Sequence, residues 1–115
     1  MKSIIILFIG LIFSIKIHAQ STIQTTTIAV KGNCDECKER IENAADIKGV
    51  KNAIWKEETQ ILTVTFDSKK VTLSQIEESI AKAGHTTANK VADAKSYKKL
   101  PSCCKYEQGE CKEPK

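Results

Sequence analysis

The fold of this 115-residue chain is decided by the stretch Lys31-Gly32-Asn33-Cys34-Asp35-Glu36-Cys37-Lys38. It follows residues 23–30, a run rich in Thr, Ile and Val that favours a β-strand. The Gly32-Asn33 pair breaks this strand, and from Cys37 onward apolar residues recur at helical spacing. The sequence therefore places two thiols, three residues apart, at a strand-to-helix turn, which we call the CxxC turn (residues 31–37).

The residues after the CxxC turn predict further strands and a second helix. Residues 46–49 close the first helix, and residues 50–56 and 61–66 read as strands, the second with strict alternation. Thr72 and Gln75 form a capping-box pair for a helix that Gly84 ends. The apolar stripe of this helix is Leu73, Ile76, Ile80 and Ala83. Residues 85–92 are interpreted as a short edge strand or an extended loop.

The predicted order is strand–helix–strand–strand–helix–strand over residues 23–92. This order consists of two strand–helix–strand halves, which predict an α+β fold, a ferredoxin-like βαββαβ two-layer sandwich. In this fold both helices cover one face of a four-stranded antiparallel sheet. A Cys-rich C-terminal extension, residues 93–115, follows this domain. Cys34 and Cys37 are then predicted to be the only two of the five cysteines inside the folded core.

The first 19 residues have the layout of a secretory signal peptide. Lys2 precedes a 12-residue apolar run, residues 4–15, and Ala19 provides a small residue before Gln20. This run is short for a membrane span, which needs about 20 apolar residues. We therefore expect a periplasmic or secreted protein without a membrane anchor after cleavage.

Composition excludes several function classes. Without residues 1–19 the chain keeps 16 basic and 14 acidic residues, a net charge of +2, and its lysines are scattered. The sequence has no basic stripe of the kind that would indicate nucleic-acid binding. His85 is the only histidine beyond the predicted signal, and no nucleophile–base–orienter set is evident, so a non-enzymatic protein is expected.

A CxxC at the start of a helix supports either soft-metal capture or thiol–disulfide exchange. The unpaired N–H groups of a helix start stabilise thiolates. Two thiolates at this spacing can converge on one ion, and two sulfurs suit a low-coordinate soft ion such as Cu(I) best, with Hg(II) or Zn(II) as alternatives.

These residues resemble the heavy-metal-associated domain family, which includes copper chaperones and the periplasmic mercury-binding protein. The resemblance rests on the motifs Gly32-Asn33-Cys34-Asp35-Glu36-Cys37, Gly49-Val50, Leu62-Thr63-Val64-Thr65-Phe66-Asp67 and Ala83-Gly84-His85, with Ile41 in the first helix. It implies that Cys34 and Cys37 are the metal ligands. It also implies transient docking to a metal transporter or efflux component.

Three departures from the family are visible. Gly32 replaces the methionine that commonly anchors the metal loop, which predicts a more mobile loop. Asn33 stands where members tuned for zinc or cadmium often carry aspartate, which mildly favours a monovalent ion. His85 occupies a position often held by an aromatic residue, and it is interpreted either as a third ligand or tuning donor or as a capping histidine away from the metal.

The extension carries Cys103, Cys104 and Cys111. These form an accessory soft-metal site if residues 93–100 turn back toward the CxxC turn. Alternatively, Cys111 forms a disulfide with one of the pair, or the segment is an unstructured thiol-rich tail.

Two other function classes use the same thiols. A thioredoxin-like oxidoreductase needs a proline packed opposite the CxxC, but Pro101 and Pro114 lie outside the predicted core and the element order differs. A structural Cys34–Cys37 disulfide would close a very small loop and add little stability. Metal capture is therefore the preferred function.

Overall fold

The computed structural model describes residues 22–108, so the predicted signal peptide and Cys111 lie outside the described residues. The regular elements are β1 (Ile23–Ala29), α1 (Asp35–Ala45), β2 (Val50–Lys56), β3 (Ile61–Asp67), α2 (Leu73–Lys82) and α3 (Ala94–Lys98), followed by two 3₁₀ turns (Ser102–Cys104 and Tyr106–Gln108). Within residues 22–108 no helix has the length and apolar character needed to cross a membrane.

The strands form an antiparallel sheet in the order β1-β3-β2. Strand β3 is central: Val64 pairs with Thr26 on one side and with Ala53 on the other. Leu62, Val64 and Phe66 are buried on the helix-facing side, as their alternation predicts. On the opposite side of the sheet, the hydroxyls of Thr25 and Thr65 are hydrogen-bonded across the strands at 2.9 Å.

The two long helices pack together over the apolar face of the sheet. Helix α1 buries Cys37, Ile41 and Ala45, while α2 buries Ile76 and Ile80. The predicted capping box is present, because Thr72 accepts from the Gln75 N–H and the Gln75 side chain accepts from the Thr72 N–H. The ferredoxin-like α+β fold predicted from the sequence is confirmed.

The predicted edge strand at residues 85–92 is reduced to a single antiparallel bridge between Val30 and Thr87. The buried carboxylate of Glu77 explains why the pairing stops. It accepts hydrogen bonds from the Thr87 hydroxyl at 2.6 Å and from the backbone and side-chain N–H groups of Asn89 at 3.1 and 3.0 Å. The chain is thereby bent into a turn, closed by Thr87 N–H donating to the Lys90 carbonyl at 2.8 Å.

The described part of the C-terminal extension packs on the same core. Leu100 and Cys104 are buried in the hydrophobic cluster formed by the sheet and the long helices. The prediction that only Cys34 and Cys37 lie inside the core is therefore wrong. The prediction failed because residues 93–104 are too short and too polar to show a periodic apolar pattern. In the structure, Leu100 nevertheless packs against Gly84, just after the end of α2.

Candidate metal centre

The CxxC turn brings its two thiols together at the mouth of the sandwich. Cys34 is the residue before α1 and has extended backbone (φ −153°), while Cys37 lies in the first turn of the helix. Their Sγ atoms are 3.4 Å apart and carry no disulfide. Cys34 is partly exposed and Cys37 is fully buried, so one sulfur faces outward and the other forms the floor of the site.

Trp55 holds the loop before the thiols in place. This fully buried side chain donates from Nε1 to the Val30 carbonyl at 2.9 Å. A Cβ on Gly32 would lie 3.0 Å from the Trp55 ring and 3.0 Å from the Cys37 Cβ, so a side chain here would displace these neighbours by a few tenths of an ångström. The loop is therefore packed against the core through Trp55, although the glycine alone predicts a looser loop.

Sequence reasoning missed this role of Trp55. The signal was present in the sequence: the only tryptophan of the chain lies at a core-facing strand position, and a glycine lies two residues before Cys34. A large side chain from the sheet compensates for a small one in the loop, which keeps the interior close-packed.

The thiols of the site differ in acidity. Burial raises the pKa of Cys34. Hydrogen bonds from the N–H and thiol of Cys37 and from the thiols of Cys104 and Cys103 outweigh burial, so the net pKa of Cys34 lies below its ordinary value. Burial raises the pKa of Cys37, and burial with the neighbouring sulfurs raises that of Cys104. Of the thiols of Cys34, Cys37 and Cys104, the one on Cys34 is therefore the one whose ionised form the metal-free site stabilises.

A third sulfur reaches the site from the C-terminal extension. Cys104 Sγ lies 3.5 Å from Cys34 Sγ, and the sulfurs of Cys34, Cys37 and Cys104 all lie within 4.8 Å of one another. Three sulfurs each about 2.3 Å from one ion in a trigonal plane would be about 4.0 Å apart. The observed spacing therefore needs only a small adjustment to surround an ion.

Cys103 takes a different direction from its neighbour. Its thiol donates to the Glu36 carboxylate at 3.3 Å, outside the Cys34–Cys37–Cys104 cluster. Burial, this carboxylate and the neighbouring Cys34 thiol raise the pKa of Cys103 to about 12. Cys103 is not in the group in which the sulfurs of Cys34, Cys37 and Cys104 lie within 4.8 Å of one another.

His85 belongs to neither of the two groups of potential metal ligands among the described residues. It is fully buried, and its Nδ1 lies 2.8 Å from the Lys31 carbonyl, so Nδ1–H is the donor. Lys31 N–H donates in turn to the Thr86 carbonyl at 2.9 Å. The structure therefore gives His85 the capping role, in which it fixes the backbone three residues before Cys34.

The placement of His85 predicts a pH-dependent stability. Burial, with a smaller contribution from Arg40, holds the pKa of His85 below its ordinary 6.5, although the Lys31 carbonyl opposes this shift. Near and just below pH 6.5, His85 is then protonated to a greater extent in the unfolded chain than in the folded protein, so the free energy of unfolding should fall as the pH drops through this region. Urea denaturation of metal-free protein at pH 7.5 and 5.5 measures this loss.

The matched control is His85→Asn, which keeps an N–H donor near the Nδ1 position but cannot titrate. Its free energy of unfolding should change less between the two pH values than that of the wild type. An equal change in both proteins would remove His85 as the cause.

The model of the heavy-metal-associated domain family matches residues 27–86, more than half of the chain. The chain belongs to this family. The matched region begins within β1 at Thr27 and contains the CxxC turn, β2, β3 and both long helices. It ends before the extension that carries Cys104.

The named relatives include a copper chaperone, a metallochaperone and a MerP protein. A copper chaperone CopZ of Staphylococcus saprophyticus is 38% identical over 63 residues, covering 53% of this chain and 93% of the relative. A solved CopZ metallochaperone is 30% identical with a TM-score of 0.54, covering 56% of this chain and 100% of its own. Oxidised MerP of Ralstonia metallidurans CH34 is 29% identical with a TM-score of 0.54, covering 57% and 94%.

Proposed function

We propose that this heavy-metal-associated domain protein is a non-enzymatic carrier of a soft metal ion, with Cys34 and Cys37 as ligands. The observation that carries the proposal is the pair of Sγ atoms 3.4 Å apart at a helix start, one buried and one partly exposed. The buried sulfur holds the ion, and the outer sulfur is accessible to the thiols of an acceptor. Transfer can then proceed by stepwise ligand exchange.

Cu(I) is the proposed ion, with Hg(II) and Zn(II) as the competitors. Thiolates are soft ligands and select soft ions, and Cu(I) accepts the low coordination numbers that a few sulfurs supply. Zn(II) prefers four ligands, and His85 lies outside the sulfur cluster. The relative named as a copper chaperone supports Cu(I). Hg(II) stays a competitor because it is also a soft ion.

The compartment and the partner belong to the same proposal. The signal-like residues 1–19 support export to the periplasm or beyond. There the protein would deliver the ion to a metal transporter or efflux component, or would sequester it.

Anaerobic native mass spectrometry of the protein with equimolar Cu(I), Zn(II) and Hg(II) tests this proposal. The expected result is one soft ion per chain, with Zn(II) displaced. A protein that binds none of the three but reduces insulin disulfides would instead be a thiol–disulfide oxidoreductase.

A further inference from the structure

We propose that Cys104, from the C-terminal extension, is a third sulfur ligand that closes the metal site over the ion. This inference rests on the proposed function and deepens it. It changes the site from an open pair of thiolates into a three-sulfur site, and it gives the extension beyond the family domain a chemical role.

The position of Cys104 carries the inference. Its side chain is 0% exposed, and its Sγ lies 3.5 Å from that of Cys34. The sulfurs of Cys34, Cys37 and Cys104 all lie within 4.8 Å of one another, so a single point between them is within reach of all three. Burial alone is common for a free cysteine, which packs as a small apolar residue. Three sulfurs close together, by contrast, match the ligand set of a soft ion.

The extension is built to hold Cys104 there. The Cys104 N–H donates to the Pro101 carbonyl at 2.8 Å, which forms the 3₁₀ turn that carries the thiol. Before this turn Leu100 is anchored in the core. After it the Tyr106 hydroxyl donates to the Gly84 carbonyl at 2.9 Å and accepts from the Thr86 N–H at 3.0 Å.

Tyr106 also contacts His85, the residue that holds the start of the CxxC turn. The Tyr106 ring stacks on His85, with 5.6 Å between ring centroids, and His85 holds the Lys31 carbonyl. Tyr97 packs edge-on against Tyr106 at 5.1 Å, and its hydroxyl accepts from the Glu107 N–H at 3.2 Å. The third sulfur and the first two are therefore positioned by one connected set of contacts.

Cys103 provides the matched control. It is chemically identical and adjacent in sequence, but its thiol donates to Glu36 at 3.3 Å. The structure thus distinguishes two neighbouring cysteines. The sulfur of Cys104 is grouped with those of Cys34 and Cys37, whereas Cys103 donates to a carboxylate and its sulfur lies 3.9 Å from that of Cys104.

A third thiolate changes how the ion is held. Three sulfurs satisfy a trigonal soft ion completely and cover its open side, so an acceptor thiol must first displace Cys104. The closed site favours retention, and release then requires the extension to move from the CxxC end of the fold. Transfer from this protein should consequently be slower than from the same domain without Cys104.

X-ray absorption of the anaerobic Cu(I)-loaded protein in thiol-free buffer tests the inference directly. The wild type and Cys103→Ser should show three sulfur neighbours, and Cys104→Ser should show two at a shorter average distance. In competition with a Cu(I) chelator, Cys104→Ser should bind about tenfold or more weakly than Cys103→Ser.

The outcomes separate this inference from the proposed function. Two sulfur neighbours in the wild type would overturn the inference whether or not the variants fold, while tight binding through Cys34 and Cys37 would stand. Three sulfur neighbours retained in Cys104→Ser would also overturn it. A wild type that binds no soft ion would overturn the proposed function itself.

Discussion

Replacing Cys34 or Cys37 with serine is expected to weaken Cu(I) binding on the order of 100-fold or more. Structural metal sites with four ligands gain about 10–16 kcal/mol in total, or about 3 kcal/mol per ligand, and each 1.4 kcal/mol corresponds to a factor of ten. A serine hydroxyl is a hard, protonated donor that does not replace a thiolate toward a soft ion. Competition with a Cu(I) chelator under anaerobic conditions measures the change.

The two substitutions should differ in their effect on the metal-free protein. Cys37 is fully buried and packs in the core, so its replacement also tests stability, whereas Cys34 is partly exposed. Cys103→Ser is the matched control, because its thiol donates to the Glu36 carboxylate and is not in the group formed by the sulfurs of Cys34, Cys37 and Cys104. Equal binding by Cys34→Ser, Cys103→Ser and the wild type would contradict the assignment of the ligands.

The second large effect is expected at Trp55, where Trp55→Ala should lower the free energy of unfolding by about 3–5 kcal/mol. The side chain is fully buried, and it fills the space beside Gly32 and Cys37. Its removal leaves a cavity under the CxxC turn and deprives the Val30 carbonyl of its donor. Chemical denaturation of the metal-free protein measures the loss.

Trp55→Phe separates the packing of the ring from the hydrogen bond that Nε1–H donates to the Val30 carbonyl. It keeps most of the ring in the cavity but removes the Nε1–H, so about 1–3 kcal/mol should be lost through the unsatisfied Val30 carbonyl. If Trp55→Ala were no less stable than the wild type, the packing role of Trp55 beneath the metal loop would be wrong.

The sandwich itself could be predicted because its signals are local. Alternation in residues 61–66, the Thr72–Gln75 capping box and the glycine after α2 each follow from neighbours in sequence, and all are present in the structure. Residues 85–92 were ambiguous for a physical reason. Their path is set by the buried Glu77 carboxylate, whose hydrogen bonds to Thr87 and Asn89 are tertiary contacts that no short-range pattern encodes.

Only part of the three-sulfur cluster could be predicted from the sequence. Cys34 and Cys37 are three residues apart on a helix start, so their proximity follows from helical geometry. Cys104 is 70 residues from Cys34 in sequence, and it meets Cys34 only because the extension folds back. Leu100 and Tyr106 fix that return, but each is a single residue in a polar segment, where a contact with the core cannot be distinguished from exposure.

Residue-resolved alkylation, before and after one equivalent of Cu(I) without oxygen, tests the central claim most directly. Cys34 is partly exposed and its pKa is lowered, so it should react readily in the metal-free protein. Once the ion is bound, labelling of Cys34 should be suppressed, and Cys37 should stay unlabelled. Labelling of Cys34 at an unchanged rate in a protein that carries Cu(I) would contradict the account.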